Sequence, residues 1–294
     1  MNRTPPSLAA ALLLATLAST ATADDGPFTL HLRSRSVVDG QTEITESIGR
    51  WEPGKTAIIV CDMWDKHWCK SAERRVGEMA GPMNAMLKAA RAKGAFVIHA
   101  PSTTTGFYEG TPQRERARRA PFVPTPVPLA TSQRWGTAWR WTDAAREGVL
   151  PIDDSDGGCD CQGEKCQTGD PWTRQTAAIE IAEPDAITDD GQETWNLLAE
   201  RGIDRVILCG VHLNMCVLGR PFAIRQLTAL GKRVVLMRDM TDVMYNPDRP
   251  PGGDHFDGIT LMVEHVERYW CPSFPSTDVT GRPPFRFAGA PEDD

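Results

Sequence analysis

Apolar side chains follow three different rhythms along this chain, and each rhythm predicts a different kind of element. Between residues 28 and 48 they alternate (Phe28, Leu30, Leu32, Val38, then Ile44 and Ile48) around Asp39-Gly40. Asp-Gly between alternating runs is the commonest signal for a tight turn, so a β-hairpin is predicted. The run from Thr56 to Asp62 is almost continuously apolar before it ends in an acid. That fits a central parallel strand buried on both faces, with Asp62 at its carboxyl end. Val76, Met79, Met83, Met86, Leu87 and Ala90 recur at helical spacing, and Gly94 stops that helix before a strand from Ala95 to His99.

The alternation of strand and helix then resumes. Strands are expected at Ala177–Ile181, Arg205–Gly210 and Arg233–Met237, and helices near Glu193–Arg201, from about Met215 to Leu230, and around Gly258–Tyr269. Such alternation predicts an α/β fold of three layers, a doubly wound and mostly parallel sheet with helices on both faces, behind an N-terminal β-hairpin. Between the second strand of the sheet and Ala177 the rhythm fails. Prolines 121, 124, 126 and 128, tryptophans 135, 139 and 141 and a Cys/Gly/Asp-rich loop fill the gap. Long irregular segments inside a domain are functional or disordered, and the tryptophans argue for an ordered insertion over one end of the sheet. The predicted organisation is a signal peptide over 1–23, the hairpin over 24–50, one domain over 51–282 with its insertion at about 101–176, and a flexible tail over 283–294.

The signal segment rests on a weakly positive start, an apolar run from Leu8 to Leu17 too short to span a bilayer, and the small-x-small pattern Ala21-Thr22-Ala23. Cleavage after Ala23 would deliver a secreted or periplasmic protein. A net charge of −7 gives no footprint for nucleic acid. No later stretch predicts a membrane anchor, and a small-molecule substrate is the expected partner, with self-association left open. Of the eight cysteines, Cys61 and Cys209 sit in strand-like runs as buried apolar groups. Cys159, Cys161 and Cys166 crowd one loop, which favours at least one disulfide, and Cys69 and Cys271 could pair with each other or with that loop.

Ligands of open parallel sheets bind beyond the carboxyl ends of the strands, near the point where strand order reverses. Asp62, Ser102 and the segment from Val211 to Cys216 all fall at that edge. A cysteine reacts as its thiolate, and a helix amino terminus favours the thiolate through unpaired N–H groups and the positive end of its dipole. Cys216 has that position, and Asp62 is the acid available to take the thiol proton and pass it to a leaving amine. A structural cysteine after a strand is the competing reading.

The run Ala57 to Cys69, with Asp62-Met63 at the end of its strand, resembles the first-strand motif of the isochorismatase-like cysteine hydrolases. Gly210 to Val217 resembles the nucleophile segment of the same family. The resemblance covers roughly residues 51–100 and 175–270. It implies a six-stranded parallel sheet, Cys216 as nucleophile, Asp62 as acid/base, a cis peptide at Val211-His212, and an oxyanion hole from the backbone N–H groups of His212 and Cys216. The family's lysine near the end of the third strand has no counterpart in the run from Ala178 to Ile187, where Glu180 and Glu183 are the nearest polar candidates. The Asp-x-His that holds a metal in nicotinamidases is also missing after His99, so neither metal nor cofactor is expected.

Trp64, His67, Trp68, His99, Ser102 and Tyr245 lie near predicted strand ends and are candidate pocket residues, with core packing as the alternative for each. Together these readings predict hydrolysis of a small non-peptide amide or related C–N bond through a cysteine thioester. Hydrolysis of an isochorismate-like ether without covalent catalysis, and a non-catalytic binding protein on the same fold, are the alternatives.

Overall fold

A computed structural model describes residues 1, 26–134, 136–163 and 166–291; the expected signal peptide, Trp135 and the tail's last three residues lie outside them. The chain runs through β1 (Phe28–Val38), β2 (Gln41–Trp51), β3 (Thr56–Cys61), α1 (Lys70–Ala92) and β4 (Phe96–Ala100). The insertion follows, with α2 (Pro112–Arg119), β5 (Gln133–Arg134), β6 (Thr137–Ala138) and α3 (Ala144–Glu147). The sheet is completed by β7 (Ala186–Ile187), α4 (Gly191–Glu200), β8 (Arg205–Gly210), α5 (Cys216–Gly219), α6 (Ile224–Ala229), β9 (Arg233–Thr241), α7 (His255–Tyr269), β10 (Ser273–Phe274) and α8 (Thr277–Thr280).

The main sheet has the order β2-β1-β10-β9-β8-β3-β4-β7. From β10 to β7 every neighbouring pair is parallel. Strand β3 lies at the centre with all six residues buried, and its alternate side chains feed two cores. Ala57, Ile59 and Cys61 pack with α4 to α7 on one face, and Ile58 and Val60 pack with the methionines of α1 on the other. Helix α1 buries Val76, Met79, Met83, Met86, Leu87 and Ala90, the stripe its spacing demands. The chain moves outward from β3 to β4 and then returns to place β8 on the other side of β3. The order therefore reverses between β3 and β8.

The hairpin turns at Asp39 (φ 52) and Gly40 (φ 79), both in the left-handed region that a two-residue turn of this kind needs. Its ladder contact with the parallel sheet is Arg33 opposite Ser273. Arg33 and Arg35 reinforce that contact, each giving a 2.8 Å hydrogen bond to the buried Glu267 of α7.

Three expected elements differ. Residues 177–181 form a turn, because the Ile179 N–H closes on the Thr176 carbonyl and the Ala182 N–H donates to the Asp185 side chain. Ile179 is still buried, so its apolar signal marks the core without a strand ladder. The helix expected from 215 to 230 is two helices, since Pro221 forces Arg220 to an extended conformation (φ −65, ψ 157). The tail is also packed as far as the described residues go. Phe287 is buried, and the Ala288 N–H donates to Glu78. No helix among the described residues is long and apolar enough to cross a membrane.

Candidate active site

The crevice between the carboxyl ends of β3 and β8 collects the chemistry. Asp62 is the first residue beyond β3, fully buried and held at φ 48. Its Oδ1 accepts the Ser102 N–H at 2.6 Å, while Oδ2 has no hydrogen-bond partner among the described residues. Strand β8 ends at Gly210 with φ +101, where a Cβ would lie 2.0 Å from the Cys61 carbonyl oxygen, so only glycine lets the two strands approach this closely. The Val211-His212 peptide bond is cis. The chain then turns into α5, whose first residue is Cys216. Among the described residues the backbone N–H groups of His212 and Cys216 donate to no acceptor.

One helical turn beyond Cys216 stands Arg220, whose N–H closes on the Cys216 carbonyl at 3.1 Å. Its side chain is buried at 1% exposure, and Nε and Nη1 have no hydrogen-bond partner among the described residues. It lies 5.5 Å from the ring of Trp139, an insertion residue whose indole also packs against Gly219, where a Cβ would fall 2.4 Å from the ring.

Asp62, Cys216 and Arg220 set one another's protonation. Burial pushes the Cys216 thiol up and the Asp62 carboxyl adds to this, against the pull of the Arg220 guanidinium. Burial also raises Asp62, while Arg220, the Cys216 thiol and the Ser102 amide oppose it. Arg220 is driven up despite its burial, because Cys216 and Asp62 face it. A thiol and a carboxylate beside a fixed cation can pass one proton between them with no change in total charge, which removes the main cost of ionising a buried thiol.

Cys216 opens onto a cavity of about 350 Å³. Trp64, His67 and Trp68, from the segment after β3, form one wall with Trp172, which stacks on Trp64 at 4.2 Å and 8°. That stack exists because residues 173–176 return beside β3: Gln175 bridges to Trp64, and the Asp65 N–H bonds to the Arg174 carbonyl. Arg134, Asp154, Ser155 and Gly157 bring the insertion into the lining, and His212, Met215 and Met244 add to it. His67 is lowered to about 4 by burial. Its Nδ1 accepts the Cys69 N–H at 3.1 Å, which places the proton of the neutral ring on Nε2. Burial also lowers His212 far below the usual imidazole range, and its Nε2 is unpartnered among the described residues.

Several sequence-predicted site residues lie elsewhere. Glu180 is exposed and pairs with Lys88 at 2.9 Å, and Glu183 is exposed and pairs with Arg116 at 2.9 Å. Neither approaches Asp62, because the strand expected to carry them is a surface turn. His99 is buried in β4, but its ring is held by Gln175 and Asp185 and does not line the cavity. The Tyr245 hydroxyl binds the Arg249 and Gly252 carbonyls, and its ring lies in the core. Ser102 acts through its backbone on Asp62. The residue missed in the sequence is Arg220. Its spacing of four from Cys216 on a predicted helix, directly before a proline, was the available signal.

No family model matches the chain, and no curated protein matches it. Among solved structures, the chain is similar to a cysteine hydrolase from Pseudomonas syringae pv. phaseolicola, with 19% identity over 78% of this chain and 92% of that one and a TM-score of 0.49. An isochorismatase family protein from Burkholderia thailandensis is similar at 15% identity over 78% and 95%, with a TM-score of 0.43. Another from Desulfovibrio vulgaris subsp. vulgaris is similar at 17% identity over 78% and 99%, with a TM-score of 0.42.

Proposed function

We propose that the protein is a hydrolase of the isochorismatase-like cysteine type, cleaving a small non-peptide amide or related C–N bond through a thioester on Cys216. The observation that carries this reading is the buried cluster of Asp62, Cys216 and Arg220, whose Cys216 lines an aromatic-walled cavity, beside two unengaged backbone amides. A cavity of this size suits a small substrate, and the stacked tryptophans suit a flat one.

Asp62, as carboxylate, takes the Cys216 proton, and the sulfur attacks the carbonyl carbon. The His212 and Cys216 N–H groups receive the oxyanion. As the C–N bond breaks, Asp62 returns the proton to the departing nitrogen. Water then attacks the thioester, losing a proton to Asp62 as the acid leaves, and the thiol is restored. Arg220 holds the single negative charge that moves between sulfur and carboxylate, the work that a lysine performs in the family the sequence resembles.

The test is turnover of a panel of small amides with the intact chain. Cys216→Ala should lower kcat by roughly 10⁴-fold or more, and intact mass should show an acyl adduct on the unsubstituted protein. Arg220→Met should lower kcat by roughly 10²-fold or more, with a changed pH profile. A rate on an isochorismate-like ether that survives Cys216→Ala but is lost in Asp62→Asn, with no turnover of the amides, would replace the thioester with non-covalent ether hydrolysis.

A further inference from the structure

Four of the eight cysteines meet away from Cys216, where the insertion touches the amino end of α1. Cys69 directly precedes that helix, and Cys159, Cys161 and Cys166 come from the insertion loop. All are free thiols. The sulfurs of Cys69, Cys159 and Cys161 lie within 4.8 Å of one another. Cys161 Sγ is 3.8 Å from Cys69 Sγ and 3.5 Å from Cys166 Sγ.

These separations are too long for disulfides, which need about 2.05 Å. The two separations at Cys161 are close to the edge of a tetrahedron, while Cys166 lies more than 4.8 Å from at least one of the other sulfurs. Four sulfurs bound at about 2.3 Å around one ion sit about 3.8 Å apart. A cluster of several irons would hold its thiolates farther apart, so the spacing favours a single ion.

A second feature points the same way. In the first turn of α1 the backbone amide of Ser71 donates to Cys161 Sγ at 3.3 Å. The Ser71 hydroxyl adds a 3.3 Å contact to Cys161. Four thiolates around a divalent cation carry two net negative charges, and amide donors with the positive end of a helix dipole are what stabilise them. The nearest carboxylate, Asp160, is 3.7 Å from Cys69 Sγ but is committed to Arg75 through two hydrogen bonds. The sulfurs are therefore the available donors.

We propose that Cys69, Cys159, Cys161 and Cys166 bind one Zn²⁺ in a closed tetrahedral site that pins the insertion loop onto α1. Each sulfur binds after losing its proton to solvent, and with four sulfurs in place no position remains for water. The ion is structural. The sequence alone points to a disulfide within this loop and to no metal; the free thiols depart from the first expectation, and this proposal replaces the second. Because the same loop carries Asp154, Ser155 and Gly157 to the cavity wall, the ion would hold one side of the substrate pocket in place.

The experiment uses the full chain, expressed with added zinc and purified without chelator. Elemental analysis should find one zinc per chain, retained on dialysis. Cys161→Ser and Cys166→Ser should each lower that content about 10-fold or more, while Cys271→Ser, which alters a thiol in a different core cluster, should leave it unchanged. Cobalt replacement in the unsubstituted chain should give a sulfur-to-cobalt charge-transfer band and tetrahedral d–d bands, a readout independent of how the variants fold. Absence of both stoichiometric zinc and the cobalt spectrum would overturn the site, as would an intact mass lower by the four hydrogens of two disulfides.

Discussion

The parallel sheet and the insertion share one apolar core through Trp139 and Ile152 but differ in how much they rely on buried carboxylates. Strand β3 buries all of its residues between two apolar cores and is paired along its length with β4 and β8, so apolar burial on both faces dominates its cohesion. The insertion contains two-residue strands and a four-residue helix, and carboxylates tie it to the rest of the molecule. Glu147 accepts hydrogen bonds from Arg225, His265 and Trp270, Asp154 from Asn214, Asp156 from Asn246, and Asp160 from Arg75. Such bonds are directional, and losing one partner strands the other in a buried site. The region that shapes the pocket is therefore the more sensitive to protonation and to single substitutions.

The largest effect should come where the sheet has no freedom at all. Gly210→Ala forces a Cβ against the Cys61 carbonyl at a positive φ, and we expect more than about 4 kcal/mol of destabilisation, read as loss of soluble folded protein or a collapsed urea midpoint. A folded, stable Gly210→Ala chain would mean that β3 and β8 can part. Glu147→Ala should cost about 3–5 kcal/mol by leaving Arg225 buried without its carboxylate. Hydrogen exchange should then show residues 101–176 opening while β3 and β8 stay protected; simultaneous loss in both regions would erase the contrast.

Acid should act mainly on the pocket. Burial holds the folded-state pKa of His67 down at about 4, against 6.5 in its absence. Its contribution is thus fully present above pH 6.5 and lost as pH falls towards 4. The loss is at most about 3 kcal/mol, and urea midpoints at pH 7, 5.5 and 4 would measure it. A flat series would show His67 to be solvated. Glu147, lowered to about 2 by His265, Arg225 and Trp270 despite its burial, should extend the loss below pH 4.5. The smallest effect belongs to Glu180→Ala, which removes an exposed pair with Lys88. Neither the urea midpoint nor turnover should change, and a fall in turnover would return this residue to the site.

The same contrast explains what could be read from the sequence. Strands β3, β4 and β8 and helix α1 announce themselves because burial on two faces or one stripe imposes a period on the residues. Asp39-Gly40 does so because its turn demands positive φ. The places of Asp62 and Cys216 in the fold are legible because β3 ends just before the one and a helix begins with the other. Ile179 misled, since a buried residue in a turn has the same polarity as one in a strand. That error carried Glu180 and Glu183 towards the site. The partners of Glu147, such as Arg225 at a separation of 78 residues, follow no local period, and neither do the thiols that meet Cys69.

Trp139 lies against Gly219, the last residue of the short helix that begins with Cys216, and beside Arg220, which follows it. A protein engineer who prunes the insertion to widen the cavity would therefore also unseat the support of Cys216. Redesigns that keep this single indole and rebuild the loop around it have a route to new specificity that deletion of the whole segment does not.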